Sequence, residues 1–275
     1  MPNLSRPGDV ELHFEERGDG PLVVLAPYWS GQPDVYEGFL SDLSRDHRIV
    51  TWDARGTGES THEGPYDLET DSSDLEAVLE HLGAAAVVIA VANGCNAATH
   101  VAARRGDLIA TVLAFGAGPF SLSDFEGSEA MLSSEGVVTA FLEMLERDYR
   151  GALRTVFSST NAQMSEDELR ERISSQISYC PQDAAVARVR AWAADDPREA
   201  AAALGGRLRI FSSDGVAGTW LPPLAERREI MARVTPEAQV EEIADEEGPI
   251  SRPDLVASRI RELVAAAPKF VSEGL

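Results

Sequence analysis

The chain is predicted to be an α/β protein: a mostly parallel sheet of about eight strands, helices on both faces, and a helical cap inserted after the sixth strand. Three observations predict it. Short apolar runs alternate with helical periodicity from Val10 to Phe115. From Phe120 to Leu204 the pattern is almost entirely helical. Strand signal then returns at Leu208–Ser212 and at Gln239–Ile243. The expected division is a sheet-bearing core at 1–118 and 205–275, with the cap at 119–204.

Taken in order, Val10–Glu16 alternates apolar with polar residues, as a half-exposed strand should. Gly18-Asp19-Gly20 reads as a hairpin turn. Leu22–Ala26 is continuously apolar, the mark of a strand covered on both faces. Val35–Leu43 has helical spacing, and Arg48–Trp52 is a further short strand. Leu68–Leu82 places Leu75, Val78, Leu79 and Leu82 on one helical face. Ala86–Val91 reads as the most buried strand, Asn96–Arg105 as a helix and Ala110–Phe115 as a strand. Within the cap, Ser165 to Glu168 carries a capping-box start. An amphipathic helix over Pro253–Val264 closes the chain. Short connections between alternating strands and helices demand a parallel sheet.

Composition narrows the partners. With 275 residues and 44% hydrophobic residues, the chain can bury a large core. A formal charge of −22 opposes binding to nucleic acid or an anionic membrane surface. The two cysteines, Cys95 and Cys180, make neither a disulfide framework nor a zinc site, so no metal or cofactor is expected. Met1 to Val10 lacks an apolar stretch, and the longest apolar run, Ala84–Ala92, is too short to span a bilayer. A soluble cytoplasmic protein is the expectation; nothing in the sequence sets its oligomeric state.

Two segments carry a resemblance. Asp53-Ala54-Arg55-Gly56-Thr57-Gly58-Glu59-Ser60 resembles the D-x-R-G-x-G-x-S loop of α/β hydrolases, and no Lys follows its glycines to make a phosphate-binding loop. Anchoring on Arg104-Arg105-Gly106-Asp107-Leu108 makes Ala90-Val91-Ala92-Asn93-Gly94 the counterpart of the small-x-Ser-x-Gly elbow. The resemblance covers roughly residues 9–118 and 205–265 and implies an α/β-hydrolase fold. It also places Ala92 at the nucleophile position, where a methyl group cannot attack a carbonyl. A shifted register would put Cys95 there instead, and an engineered serine-to-alanine change would also account for Ala92.

The other expected groups depart too. Family members carry His-Gly after the third strand, whereas this chain has Ala26-Pro27-Tyr28-Trp29, and Pro27 removes a backbone N–H where oxyanion donors are wanted. Counting back from Arg252-Pro253 puts the family's histidine at Glu246, or at Glu247 with one deletion. All five histidines lie before the cap, so the base a serine hydrolase requires is missing from that loop. Asp214 occupies the acid position, or is simply a turn residue before Gly215.

The expected site therefore has Glu246 and Asp214 as catalytic candidates, with Pro27, Tyr28, Trp29, Ala92, Asn93 and Glu247 lining the ligand pocket. Glu246 and Glu247 belong to a run of five acids within Glu241–Glu247. Crowding and burial would raise a carboxyl pKa there toward neutrality; the alternative is a solvated acidic loop. Tyr28 and Trp29 either wall the pocket or pack their own loop. In size, cap and loss of triad, the chain resembles the bottromycin-epimerase type of family member. That resemblance implies proton transfer on a modified peptide, or another small intermediate, held under the cap, with the substrate's own carboxylate as base. The alternatives are a non-catalytic binding module and an inactivated or residual hydrolase.

Overall fold

The computed structural model describes residues 3–29, 31–116, 118–125, 135–160, 164–212, 223–242 and 253–266. Its eight strands are β1 (Asn3–Arg6), β2 (Val10–Arg17), β3 (Leu22–Ala26), β4 (Arg48–Trp52), β5 (Ala86–Val91), β6 (Ile109–Phe115), β7 (Leu208–Ser212) and β8 (Gln239–Glu242). They form one sheet in the order β1-β2-β4-β3-β5-β6-β7-β8. The β1–β2 and β2–β4 pairs are antiparallel and every later pair is parallel. The predicted fold class holds.

The hairpin at Gly18-Asp19-Gly20 is corrected. β2 pairs with β4, not with β3, so this segment is a crossover between two strands that flank a third. The glycines serve a different purpose. Gly18 has φ +76°, and a Cβ on it would lie 2.3 Å from the carbonyl oxygens of Ser44 and His47. The chain needs glycine to pass over the 44–47 turn. β1 was not foreseen, because Asn-Leu-Ser-Arg is short and polar. It pairs only with β2, at the sheet edge.

Two apolar layers sandwich the sheet because successive side chains of each central strand point to opposite faces. On one face Leu22, Val24, Val88 and Val112 meet α2 (Leu68–Leu82) and α3 (Gly94–Arg104). On the other, Val23, Leu25, Val87 and Ile89 meet α1 (Glu37–Leu43) and the last described helix, Pro253–Ala266. The predicted Val35–Leu43 helix begins as a 3-10 turn, Pro33–Tyr36, before α1. α2 starts where Asp67 accepts the Thr70 N–H at 2.8 Å and stops at Gly83 in the left-handed conformation.

Between β6 and β7 lie α4 (Glu135–Arg147), α5 (Tyr149–Thr160), α6 (Glu166–Tyr179), α7 (Gln182–Ala193) and α8 (Arg198–Leu204). Helices α4 to α7 bury their own core around Leu145, Leu153, Ile173 and Val189. The capping box at Ser165 and Glu168 is formed. α8 differs: Ala201 and Leu204 join the apolar layer of α2 and α3. After β7, α9 (Leu224–Val234) and α10 (Pro253–Ala266) complete the described helices. None of the described helices is long and apolar enough to cross a membrane.

Candidate functional site

The elbow is built where β5 turns into α3. β5 runs to Val91, and α3 starts at Gly94, two residues earlier than its periodicity suggests. Between them Ala92 has φ +47°, one of only two non-glycine residues with positive φ among those described. A left-handed alanine costs energy that surrounding structure must offset. Here the packing is close: Ala90 is fully buried and registers with Ala26 of β3 and Ala114 of β6. A Cβ on Gly94 would lie 2.4 Å from the Pro27 carbonyl oxygen. Contact therefore demands glycine at 94, and Ala90 is a small residue fully enclosed between two strands, as the elbow reading expects. Ala92 is half-buried at the tip.

Cys95 does not take the nucleophile position. It lies inside the first turn of α3, fully buried, and burial pushes its thiol up to about 12. Cys180 is buried as well, its thiol pushed up to about 11 for the same first reason. A nucleophilic cysteine needs an accessible thiolate. The native protein is therefore expected to resist iodoacetamide at pH 8 and to take up two labels once unfolded in urea. Rapid native alkylation at Cys95, read by peptide mass spectrometry, would restore it as a nucleophile.

Beside Ala92, Asn93 is 8% exposed, and its Oδ1 accepts the Trp29 backbone N–H at 2.6 Å. This contact crosses from the elbow to the loop after β3. Pro27 has no N–H to give, and that of Trp29 is already engaged, so two backbone positions facing the elbow offer no free donor. Tyr28 is half-buried with its ring 6.3 Å edge-on from Tyr36. Tyr36 is buried and hydrogen-bonded to Tyr28; burial, then Tyr28 itself, holds its phenol well above the ordinary range. Trp29 stands edge-on to Phe141 of α4 at 6.0 Å and packs against the helices' own core. The structure thus brings Pro27, Tyr28, Trp29, Ala92 and Asn93 together around one turn. Asp214, Glu246 and Glu247 lie outside the described residues. Two acids of the same run are described, and each has an arginine: Glu241 with Arg259 at 2.7 Å, Glu242 with Arg228 at 3.8 Å.

The glycine-rich loop after β4 fastens the inserted helices. Asp53 accepts the Tyr179 hydroxyl of α6 at 2.6 Å and the Glu59 N–H at 2.9 Å. Burial, followed by the Asp53 charge, raises the Tyr179 phenol well above its ordinary range. Arg55 makes two bonds to Asp74 of α2, at 2.9 and 3.1 Å. Arg188 of α7, 2% exposed, binds Asp71 at 2.9 Å and the Arg55 carbonyl. The tyrosine and arginine partners escaped sequence reading because they are more than a hundred residues from the loop they hold.

A histidine–carboxylate pair does occur, at an unforeseen place. His100 Nε2 is 3.1 Å from Asp195, which also receives the Asn96 amide at 2.8 Å. No hydroxyl or thiol is bonded to His100 among the described residues, so the pair ties α3 to the segment before α8.

Comparison with known proteins agrees with this architecture. A family model described as alpha/beta hydrolase fold matches residues 21–200. A pimeloyl-[acyl-carrier protein] methyl ester esterase of Vibrio vulnificus is 26% identical over 142 residues, 51% of this chain and 52% of the relative. A putative carbamate hydrolase of Pseudomonas savastanoi is 32% identical over 75 residues, covering 26% of this chain and 29% of the relative. The chain spans about half the length of the first of these and less of the second. Among solved structures, the enol-lactonase of Burkholderia xenovorans has a TM-score of 0.76 at 20% identity, covering 96% of this chain and 100% of that one. The bromoperoxidase of Bacillus anthracis has a TM-score of 0.75 at 18% identity, covering 94% and 97%. At such identities the structural likeness speaks for the fold alone. With the family model matched over 21–200 and the eight-stranded sheet ordered as found, the chain belongs to the alpha/beta hydrolase fold family.

Proposed function

We propose that this chain does not hydrolyse through a covalent intermediate but binds a small ligand between core and cap and moves a proton on it. The observation that carries the reading is Ala92: the elbow is built and strained, yet its tip presents a methyl group. The Pro27 and Trp29 backbone offers no free oxyanion donor to compensate. A pocket of this kind can still contribute by holding reactants in position and excluding water. The ligand class that fits is a modified peptide or another small biosynthetic intermediate with an acidic C–H beside a carbonyl. Epimerase-like chemistry follows, with Glu246 or the ligand's own carboxylate as base and Asp214 as a further candidate.

A second reading rests on the relatives, which are named as an esterase and a carbamate hydrolase. It would require a nucleophile or activated water other than Ala92 and the sealed Cys95. Incubation of the protein with candidate peptides in deuterium oxide separates the two. Proton transfer predicts one carbon-bound deuterium next to a carbonyl and an otherwise intact ligand. Cleavage products, without exchange in the remaining ligand, would establish hydrolysis and sink the proposal.

A further inference from the structure

Behind the elbow lies a small cavity of about 10 Å³, bordered by Pro27, Trp52, Asp71, Asn93 and Gly94 among others. That volume admits a single oxygen-sized group. Two of the residues on its wall, Asn93 and Trp52, carry side-chain N–H donors. The Asn93 carboxamide is fixed in orientation because the Trp29 N–H can only donate, so Oδ1 must face it. Nδ2, with two N–H bonds, is therefore turned away from Trp29, and among the described residues it has no hydrogen-bond partner. Trp52 is 3% exposed, and its indole N–H is likewise without a partner. A buried donor such as the Trp52 indole N–H is costly when left unpaired. The acceptor on the wall, Asp71, is already engaged by Arg188.

We propose that this cavity is an oxygen socket, in which Asn93 Nδ2–H and Trp52 Nε1–H bind a carbonyl or carboxylate oxygen of the ligand. The socket deepens the proton-transfer reading and rests on it for the ligand class. Side-chain donors would replace the backbone donors that Pro27 and the engaged Trp29 do not supply. When a proton leaves the carbon beside a bound carbonyl, it goes to the carboxylate base, the C–H electron pair becomes a carbon–carbon π bond, and the carbonyl π pair moves onto the bound oxygen. Donors already aimed at the oxygen stabilise the charge as it forms. Reprotonation of the carbon returns the electron pair and the proton.

Titration of the ¹⁵N-labelled full chain with N-acetylglycinamide, a minimal peptide carrying two carbonyls, tests the socket. The Asn93 side-chain amide and the Trp52 indole N–H resonances are expected to shift together. Asn93→Asp keeps the acceptor for Trp29 but replaces the donor with a carboxylate oxygen. It should weaken binding at least about tenfold while leaving the Trp29 amide resonance in place. Trp52→Phe, which keeps an aromatic ring, should weaken binding by a smaller factor. Failure of both resonances to move, or equal binding by Asn93→Asp, would overturn the socket and leave the cavity to water. Failure of the proton-transfer reading shows differently: the probe binds as described, yet no deuterium enters any candidate peptide.

Discussion

Replacing Arg188 by alanine is expected to cost about 3–5 kcal/mol of folding stability, the loss typical when one member of a buried ion pair is removed. Arg188 is 2% exposed and Asp71, its partner, has a side chain 15% exposed, so water cannot readily take over the lost contacts. The change strips Asp71 of its guanidinium, the Arg55 carbonyl of its donor, and the Tyr66 ring of a cation 5.6 Å from its centroid. Because Arg188 comes from α7 and Asp71 from α2, the damage should appear first as loosening of the inserted helices. Urea unfolding and hydrogen exchange over α4 to α7 would report it. Arg188→Met with Asp71→Leu removes both charges and should recover much of the loss. A cost below about 1 kcal/mol for Arg188→Ala would mean the pair behaves as an exposed one.

The second large effect is expected at Gly94. Helix propensity alone says that alanine here should stabilise α3 by about 1 kcal/mol. Contact says the opposite, since the new Cβ would sit 2.4 Å from the Pro27 carbonyl oxygen, a backbone atom that cannot swing aside. Overpacking of this kind costs about 1–3 kcal/mol, so contact should win and Gly94→Ala should melt several degrees lower. The same displacement would pull Trp29 away from Asn93 and move that amide resonance. A melting temperature equal to or above that of the native protein would show that the elbow is not as tightly built as described.

The elbow was readable in the sequence because its requirements are local: small residues at 90 and 94 and a strand running directly into a helix. The central strands were readable for the same reason, as their apolar runs are uninterrupted. Pairing was not readable at Gly18–Gly20. Periodicity shows that two strands flank a glycine turn, but not that β4 will insert between them. Nor could the sequence pair Tyr179 with Asp53, Arg188 with Asp71 or Asp195 with His100. Each joins the inserted helices, or the segment after them, to the core across more than ninety residues. The role of Asn93 is intermediate. Its place beside the nucleophile position was evident, but its bond to the Trp29 backbone, and the donor group that bond turns away, required coordinates.

Intact-protein mass spectrometry after exposure to a fluorophosphonate and to p-nitrophenyl acetate asks whether the pocket holds any covalent nucleophile. With Ala92 at the elbow and Cys95 sealed in α3, the protein should keep its native mass with both reagents and show no burst of p-nitrophenol. A stoichiometric acyl or phosphonyl adduct mapped to any residue of the pocket would contradict the account and return this chain to the covalent hydrolases whose fold it shares.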